Sequence, residues 1–125
     1  MTLLADKLLI RPEVELLVLD APDGDLGILG PISDDVLIAT EPVGRYDVVV
    51  VFVDSADAVR RRAAQAVRAL KPGGALWLSY PKATGHSAAE LARMGWWERL
   101  SAAGLRIADE VAVGLDWSAL RFRPA

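Results

Sequence analysis

Aspartates dominate the positions where this sequence could do chemistry. Asp20 closes one apolar run and Asp54 closes another, Val48-Val49-Val50-Val51-Phe52-Val53. If both runs are neighbouring parallel strands, the two acids stand at the carboxyl edge of the sheet, where open α/β sheets form their ligand crevice. Acids one strand apart suit ribose hydroxyls, a cation or a substrate amine. Each also has a plainer use, because an aspartate just before a helix caps it. Capping accounts for Asp54 in full, with Asp57 as the returning acid of a capping box. Ser79, Tyr80 and Lys82 follow a third run and could reach the same crevice. Their plainer reading is a rim tyrosine and a solvated lysine. Tyr80 and Lys82 lack the Y-x-x-x-K spacing of short-chain dehydrogenases.

Other chemistry is excluded or weak. There is no cysteine, which removes thiolate metal sites, cysteine nucleophiles and redox dithiols. The one histidine, His86, has no serine–acid partner evident in sequence, and Ser87 is better used as an N-cap. Arg60-Arg61-Arg62, with Arg68 and Lys71, makes a basic helix side. A net charge of −3 and the lack of interleaved aromatics make that side a solvated face rather than a nucleic-acid site. Trp96 and Trp97 point about 100° apart on a helix, so one can pack while the other marks an interface, including that of a homodimer. Trp77 is expected in the core.

The elements that must hold these residues fit one domain. The 125 residues, 53% hydrophobic and 25% charged, suffice for a single core without a disulfide or metal. The longest apolar run has six residues, against about 20 for a membrane span. The opening Met1-Thr2-Leu3-Leu4-Ala5-Asp6-Lys7 lacks the basic start and apolar core of a signal peptide, so a soluble cytoplasmic protein is expected. Residues Leu3 to Ile10 suit a short helix capped by Thr2 and ended by Arg11-Pro12. Val14 to Leu19 reads as a strand buried on both faces, and Val36 to Ala39 as a second. A short helix around Asp25 to Leu29 fits between them. Asp47 to Val53 is the clearest strand. A helix follows to about Leu70, its core face Val59, Ala63, Ala66, Val67 and Leu70, and Lys71-Pro72-Gly73-Gly74 stops it. Ala75 to Tyr80 completes a βαβ unit. Ser87 to about Ala103 reads as a helix stopped by Gly104, and 106–113 with 117–123 as a closing hairpin. The fold expected is an α/β doubly wound, mostly parallel sheet of about six strands. Its order is 2-1-3-4-6-5, with an antiparallel C-terminal hairpin and helices on both faces.

This order resembles the class I S-adenosylmethionine-dependent methyltransferases. Leu8-Leu9-Ile10-Arg11-Pro12-Glu13-Val14 resembles their L-x-x-K-P-G-x-x-V lead. Tyr46 to Val50 followed by Leu70-Lys71-Pro72-Gly73-Gly74 resembles their fourth and fifth strands with the L-K-P-G-G turn. The resemblance implies S-adenosylmethionine as cofactor. It implies that Asp20, Gly24 and Gly27 hold the amino-acid end and Glu41 the ribose, with Asp54 or Tyr80 placing substrate. The departures lie at that site. Where the family has D/E-x-G-x-G-x-G, this chain has Asp20-Ala21-Pro22-Asp23-Gly24-Asp25-Leu26-Gly27. Only the seven residues Thr40 to Tyr46 separate the second and third strands; they reach at most about 25 Å. The family's third strand and its helix, which help wall the adenine pocket, do not fit there. The chain also resembles small bacterial proteins of unknown function in its start and in Tyr80-Pro81-Lys82-Ala83-Thr84-Gly85.

The reading that follows is a reduced methyltransferase-like domain, non-catalytic, serving as a small-ligand-binding or protein-interaction module. The competing reading is a methyltransferase with an atypical cofactor loop. A third is a phosphate-binding regulator using Lys82. An intact cofactor site predicts an open crevice over Gly24 lined by Asp20 and Glu41. A degenerate one predicts Pro22, Ile28 or Leu29 filling it.

Overall fold

The computed structural model describes residues 3–81, 101–102, 104–114 and 116–124. A six-stranded sheet runs β2-β1-β3-β4-β6-β5, the order expected. The strands are β1 (Glu15–Leu19), β2 (Leu37–Ala39), β3 (Tyr46–Phe52), β4 (Leu70–Pro81), β5 (Leu105–Val113) and β6 (Trp117–Pro124). The first four are parallel; β6 is antiparallel to both β4 and β5. Among the described residues, no helix is long and apolar enough to cross a membrane.

Strand alternation divides the core into two layers. Leu17, Leu19, Val49, Val51, Leu76, Leu78 and Tyr80 face helix α2 (Ala56–Arg68), which contributes Ala58, Val59 and Ala66. Leu16, Val18, Val48, Val50, Phe52 and Trp77 face the other way. They are covered by helix α1 (Leu4–Lys7) and by Leu29 from the second of two 3₁₀ turns, Pro22–Gly24 and Leu26–Leu29. Trp77 donates its indole N–H to the Leu8 carbonyl at 2.8 Å, which satisfies a buried acceptor just beyond α1.

Several local expectations are corrected. Helix α1 has a single turn, with Leu3 rather than Thr2 in the capping position and no side-chain cap. Leu9 adopts φ 66°, and the Ile10 N–H reaches back to the Ala5 carbonyl at 2.8 Å, so the helix is closed before Pro12 acts. Helix α2 is capped by Ser55, whose hydroxyl accepts from the Ala58 N–H at 3.1 Å; Asp54 lies outside the cap. Asp57 does not return to a capping position but pairs with Arg60 at 2.9 Å. The L-K-P-G-G segment belongs to β4, which begins at Leu70 opposite Tyr46 and shifts register before Ala75 meets Val48.

The connection from β2 to β3 fits because β2 is only three residues long. Ala39 lies level with Leu17, and Tyr46 two residues before the Val48 that pairs with Leu16. The return is therefore about three residues along and two strand spacings across, roughly 14 Å in all. The Tyr46 hydroxyl pins this link by donating to the Val43 carbonyl at 2.6 Å, with the Glu41 carbonyl sharing the same proton at 3.1 Å. The helix expected from Ser87 lies outside the described residues except at its end, where Ser101 and Ala102 are helical and Gly104 takes φ 82°.

Candidate functional site

The carboxyl ends of β1 and β3 open into a crevice of about 360 Å³. Its walls come from Asp20 to Asp23 on one side and Asp54, Ala58 and Arg61 on the other, with Phe52 and Trp117 as aromatic lining. The two rings meet edge to face, with centroids 5.2 Å apart. Pro22, Asp23 and Trp117 also border a second crevice of about 500 Å³. That one lies between Asp25, Gly27 and Ile28 and the hairpin residues Val113, Gly114 and Asp116.

The loop after β1 makes its tight turns with aspartate where glycine was expected. Asp20 (φ 60°) and Asp23 (φ 56°) are left-handed, followed by Gly24 at φ 67°. Short polar side chains tolerate that region better than most. A Cβ on Gly24 would meet nothing within 4 Å, so the space over it is open. Gly27 is different. Its N–H donates to Asp25 Oδ1 at 2.8 Å, and a Cβ there would approach the same oxygen to 2.9 Å. Asp25 therefore caps the second 3₁₀ turn.

The acids have distinct partners. Asp20 accepts two hydrogen bonds from Arg62 of α2, Nε at 2.8 Å and Nη2 at 2.9 Å. This bidentate bond is the main cause that raises the Arg62 pKa above its ordinary value, against a smaller desolvation that lowers it; Glu41 adds a weaker pull. Glu41 is exposed and lies outside the crevice lining. The side chains of Asp23, Asp54 and Arg61 form no hydrogen bond or ion pair with a described residue, and all three residues line the crevice.

The structure thus brings Asp20 and Asp54 into one crevice and puts Gly27 in its neighbour, while Gly24 lines neither. Ser79 is fully buried on the Phe52 side of the sheet, its carbonyl accepting from the Val53 N–H at 2.9 Å. Tyr80 faces α2's layer and donates to Glu110 Oε1 at 2.6 Å. Its pKa is raised chiefly by burial and further by that bond. Neither side chain lines the crevice. Lys82, His86, Ser87, Trp96 and Trp97 lie outside the described residues. Sequence reasoning did not single out Phe52, Trp117, Arg61 or Arg62 for the site. The available signal for the arginines was their place in the first two turns of a helix starting at the sheet's carboxyl edge.

No protein-family model and no curated protein matches the sequence. Solved structures do. The chain is similar to a ribosomal protein L11 methylase from Lactobacillus delbrueckii subsp. bulgaricus (TM-score 0.62, 16% identity, covering 97% of this chain and 74% of that one). It is similar to the N-methyltransferase NodS from Bradyrhizobium japonicum, solved with S-adenosyl-L-homocysteine (0.57, 16%, 97% and 83%). The [4+2]-cyclase SpnF is matched as well (0.57, 14%, 97% and 78%). With the sheet order and the antiparallel hairpin, these likenesses establish a cut-down class I methyltransferase-like Rossmann fold.

Proposed function

We propose that the crevice over β1 and β3 binds S-adenosylmethionine and that the domain is a methyltransferase with an atypical cofactor loop. The observation that carries this reading is a set of charges with no side-chain partner among the described residues, Asp23, Asp54 and Arg61, beside Phe52 and Trp117. The cofactor presents an ammonium, a carboxylate and a sulfonium, and supplies an electrophilic methyl group when bound. Asp54 suits the ammonium and Arg61 the carboxylate, as charge-assisted bonds. The half-buried Trp117 suits the sulfonium or the purine, with buried Phe52 packed edge to face against it. A volume of about 360 Å³ falls within the ordinary range for small-molecule sites. The crevice beyond Trp117 would receive the methyl acceptor.

A second reading, a non-catalytic ligand-binding or interaction module, draws support from the Arg62 fork on Asp20, which occupies the acid expected to face the cofactor. Fold alone does not choose between them, since one scaffold serves many activities.

The test is a thermal-shift titration with S-adenosylmethionine and S-adenosylhomocysteine, followed by calorimetry. Ligand at 100 times its Kd adds about 2.7 kcal/mol, which raises Tm by on the order of 10 °C in a domain this size. Asp54→Asn is expected to weaken binding about tenfold, the size of one lost charge-assisted bond. The absence of any shift at millimolar ligand would overturn the cofactor reading and leave the non-catalytic one.

A further inference from the structure

The two edges of the sheet are built differently. At one edge β5 carries Arg106, Asp109 and Glu110 along its exposed length, and its register with β6 shifts between Ile107 and Asp109. Charge and a bulge are the usual protections of a free edge. At the other edge β2 has neither. Leu37 is 67% exposed, Ile38 42% and Val43 79%, three of the five large apolar side chains most exposed among the described residues.

The backbone of that edge is also open. The Leu37 N–H bonds the Val14 carbonyl at 3.1 Å, so Leu37 turns its peptide groups toward β1. By the alternation of a parallel ladder, the N–H and C=O of Ile38 point away from the sheet. The apolar strand is bracketed by acids, Asp34 and Asp35 before it and Glu41 after it, all exposed. No lysine or arginine lies between residues 31 and 44.

We propose that β2 is a docking edge for an extended segment of another protein, one with alternating apolar residues flanked by lysine or arginine. The added strand would complete the hydrogen bonds of Ile38 and cover Leu37 on one sheet face and Ile38 on the other. Charge selects this occupant over a second copy of the chain. Antiparallel self-pairing centred on Ile38 sets Asp35 of each copy opposite Glu41 of the other, and like charges directly across a ladder destabilise it. Basic flanks on a partner turn the same positions into attractions.

Two synthetic peptides test this on the full chain: Val-Thr-Val-Thr-Val flanked at both ends by paired lysines, and the same core flanked by paired glutamates. Binding is read by nuclear magnetic resonance shifts at low salt. The lysine peptide is expected to bind at least tenfold more tightly, with shifts centred on residues 36–43 and an advantage that shrinks as salt rises. Ile38→Pro removes the outward N–H together with the Ile38 side chain, leaves the Leu37 bond to β1 in place, and is expected to weaken binding at least tenfold. Should that variant fail to fold, Leu37→Lys keeps every donor and is expected to weaken the lysine peptide by repulsion. Equal binding of the two peptides, or shifts mapping elsewhere, would overturn the proposal. So would sedimentation showing a wild-type dimer that Leu37→Lys dissolves, because the occupant would then be a second copy.

Discussion

Replacing Arg62 with alanine separates two uses of Asp20, and the two effects have opposite signs. In the folded chain the Asp20 carboxylate is bound through both oxygens by Arg62, at 2.8 and 2.9 Å. The side chains are 40% and 24% exposed, so solvent screens the pair. Half-exposed pairs contribute at most about 1 kcal/mol. Arg62→Ala is therefore expected to lower Tm by roughly 4 °C. The same change leaves Asp20 as an uncompensated anion in the crevice wall. A ligand cation about 5 Å away gains on the order of 1 kcal/mol at the effective dielectric of a protein surface after screening, or about fivefold in Kd. Calorimetry with S-adenosylmethionine reads the change, and S-adenosylhomocysteine, which lacks the sulfonium, divides the gain between the two cations. The gain is expected to fade at high salt. Weaker binding in Arg62→Ala would refute the reasoning, since Arg62 would then be holding the ligand's carboxylate; unchanged binding would show that Asp20 does not feel the ligand.

Two further outcomes test the frame of the site. A Cβ on Gly74 would meet the Asp47 carbonyl oxygen at 2.8 Å and the Lys71 carbonyl oxygen at 3.0 Å, whereas one on Gly73 meets nothing but carries a φ of 78°. Gly74→Ala is expected to cost about 1–3 kcal/mol by overpacking and Gly73→Ala nearer 1 kcal/mol by backbone strain; urea unfolding showing the reverse order would remove this account of the turn. Tyr80 has a raised pKa, from burial first and from its bond to Glu110 second. A raised pKa means the folded state holds the proton longer than the unfolded chain. The contribution is complete below the ordinary tyrosine value near 10 and is lost as pH climbs through it toward the folded value. Tyr80→Phe should flatten the alkaline fall of stability, and an unchanged slope from pH 9 to 11 would contradict the coupling.

Most of the fold was legible because it rests on local patterns. Val48 to Val53 is a run of β-branched and aromatic residues too short for a helix, and its residues up to Phe52 lie in the strand buried on both faces. The order of strands followed from crossover lengths and the short turn at Gly114. What was not legible depends on distant or competing hydrogen bonds. Nothing local marks Arg62 as the partner of Asp20, 42 residues away. Helix α1 stops a turn early because Leu9 and Ile10 fold back on Asp6 and Ala5, a choice its apolar spacing does not reveal.

The two acids that mark the crevice in sequence have different surroundings in the structure, and for Asp54 the reason is one residue of helix register. Asp54 and Ser55 are both capable caps in consecutive positions. Ser55 takes the extended geometry a cap needs, φ −154° and ψ 162°, and its hydroxyl reaches the Ala58 N–H. Had Asp54 done so, its carboxylate would have been spent on the backbone. Starting α2 one residue later leaves Asp54 in the crevice lining with no bond to a described residue. Asp20, the acid that follows β1, is instead held by an arginine further along the same helix. Where α2 begins thus decides that Asp54 has no side-chain partner among the described residues, and a ligand carrying an ammonium group is expected to meet Asp54 before Asp20.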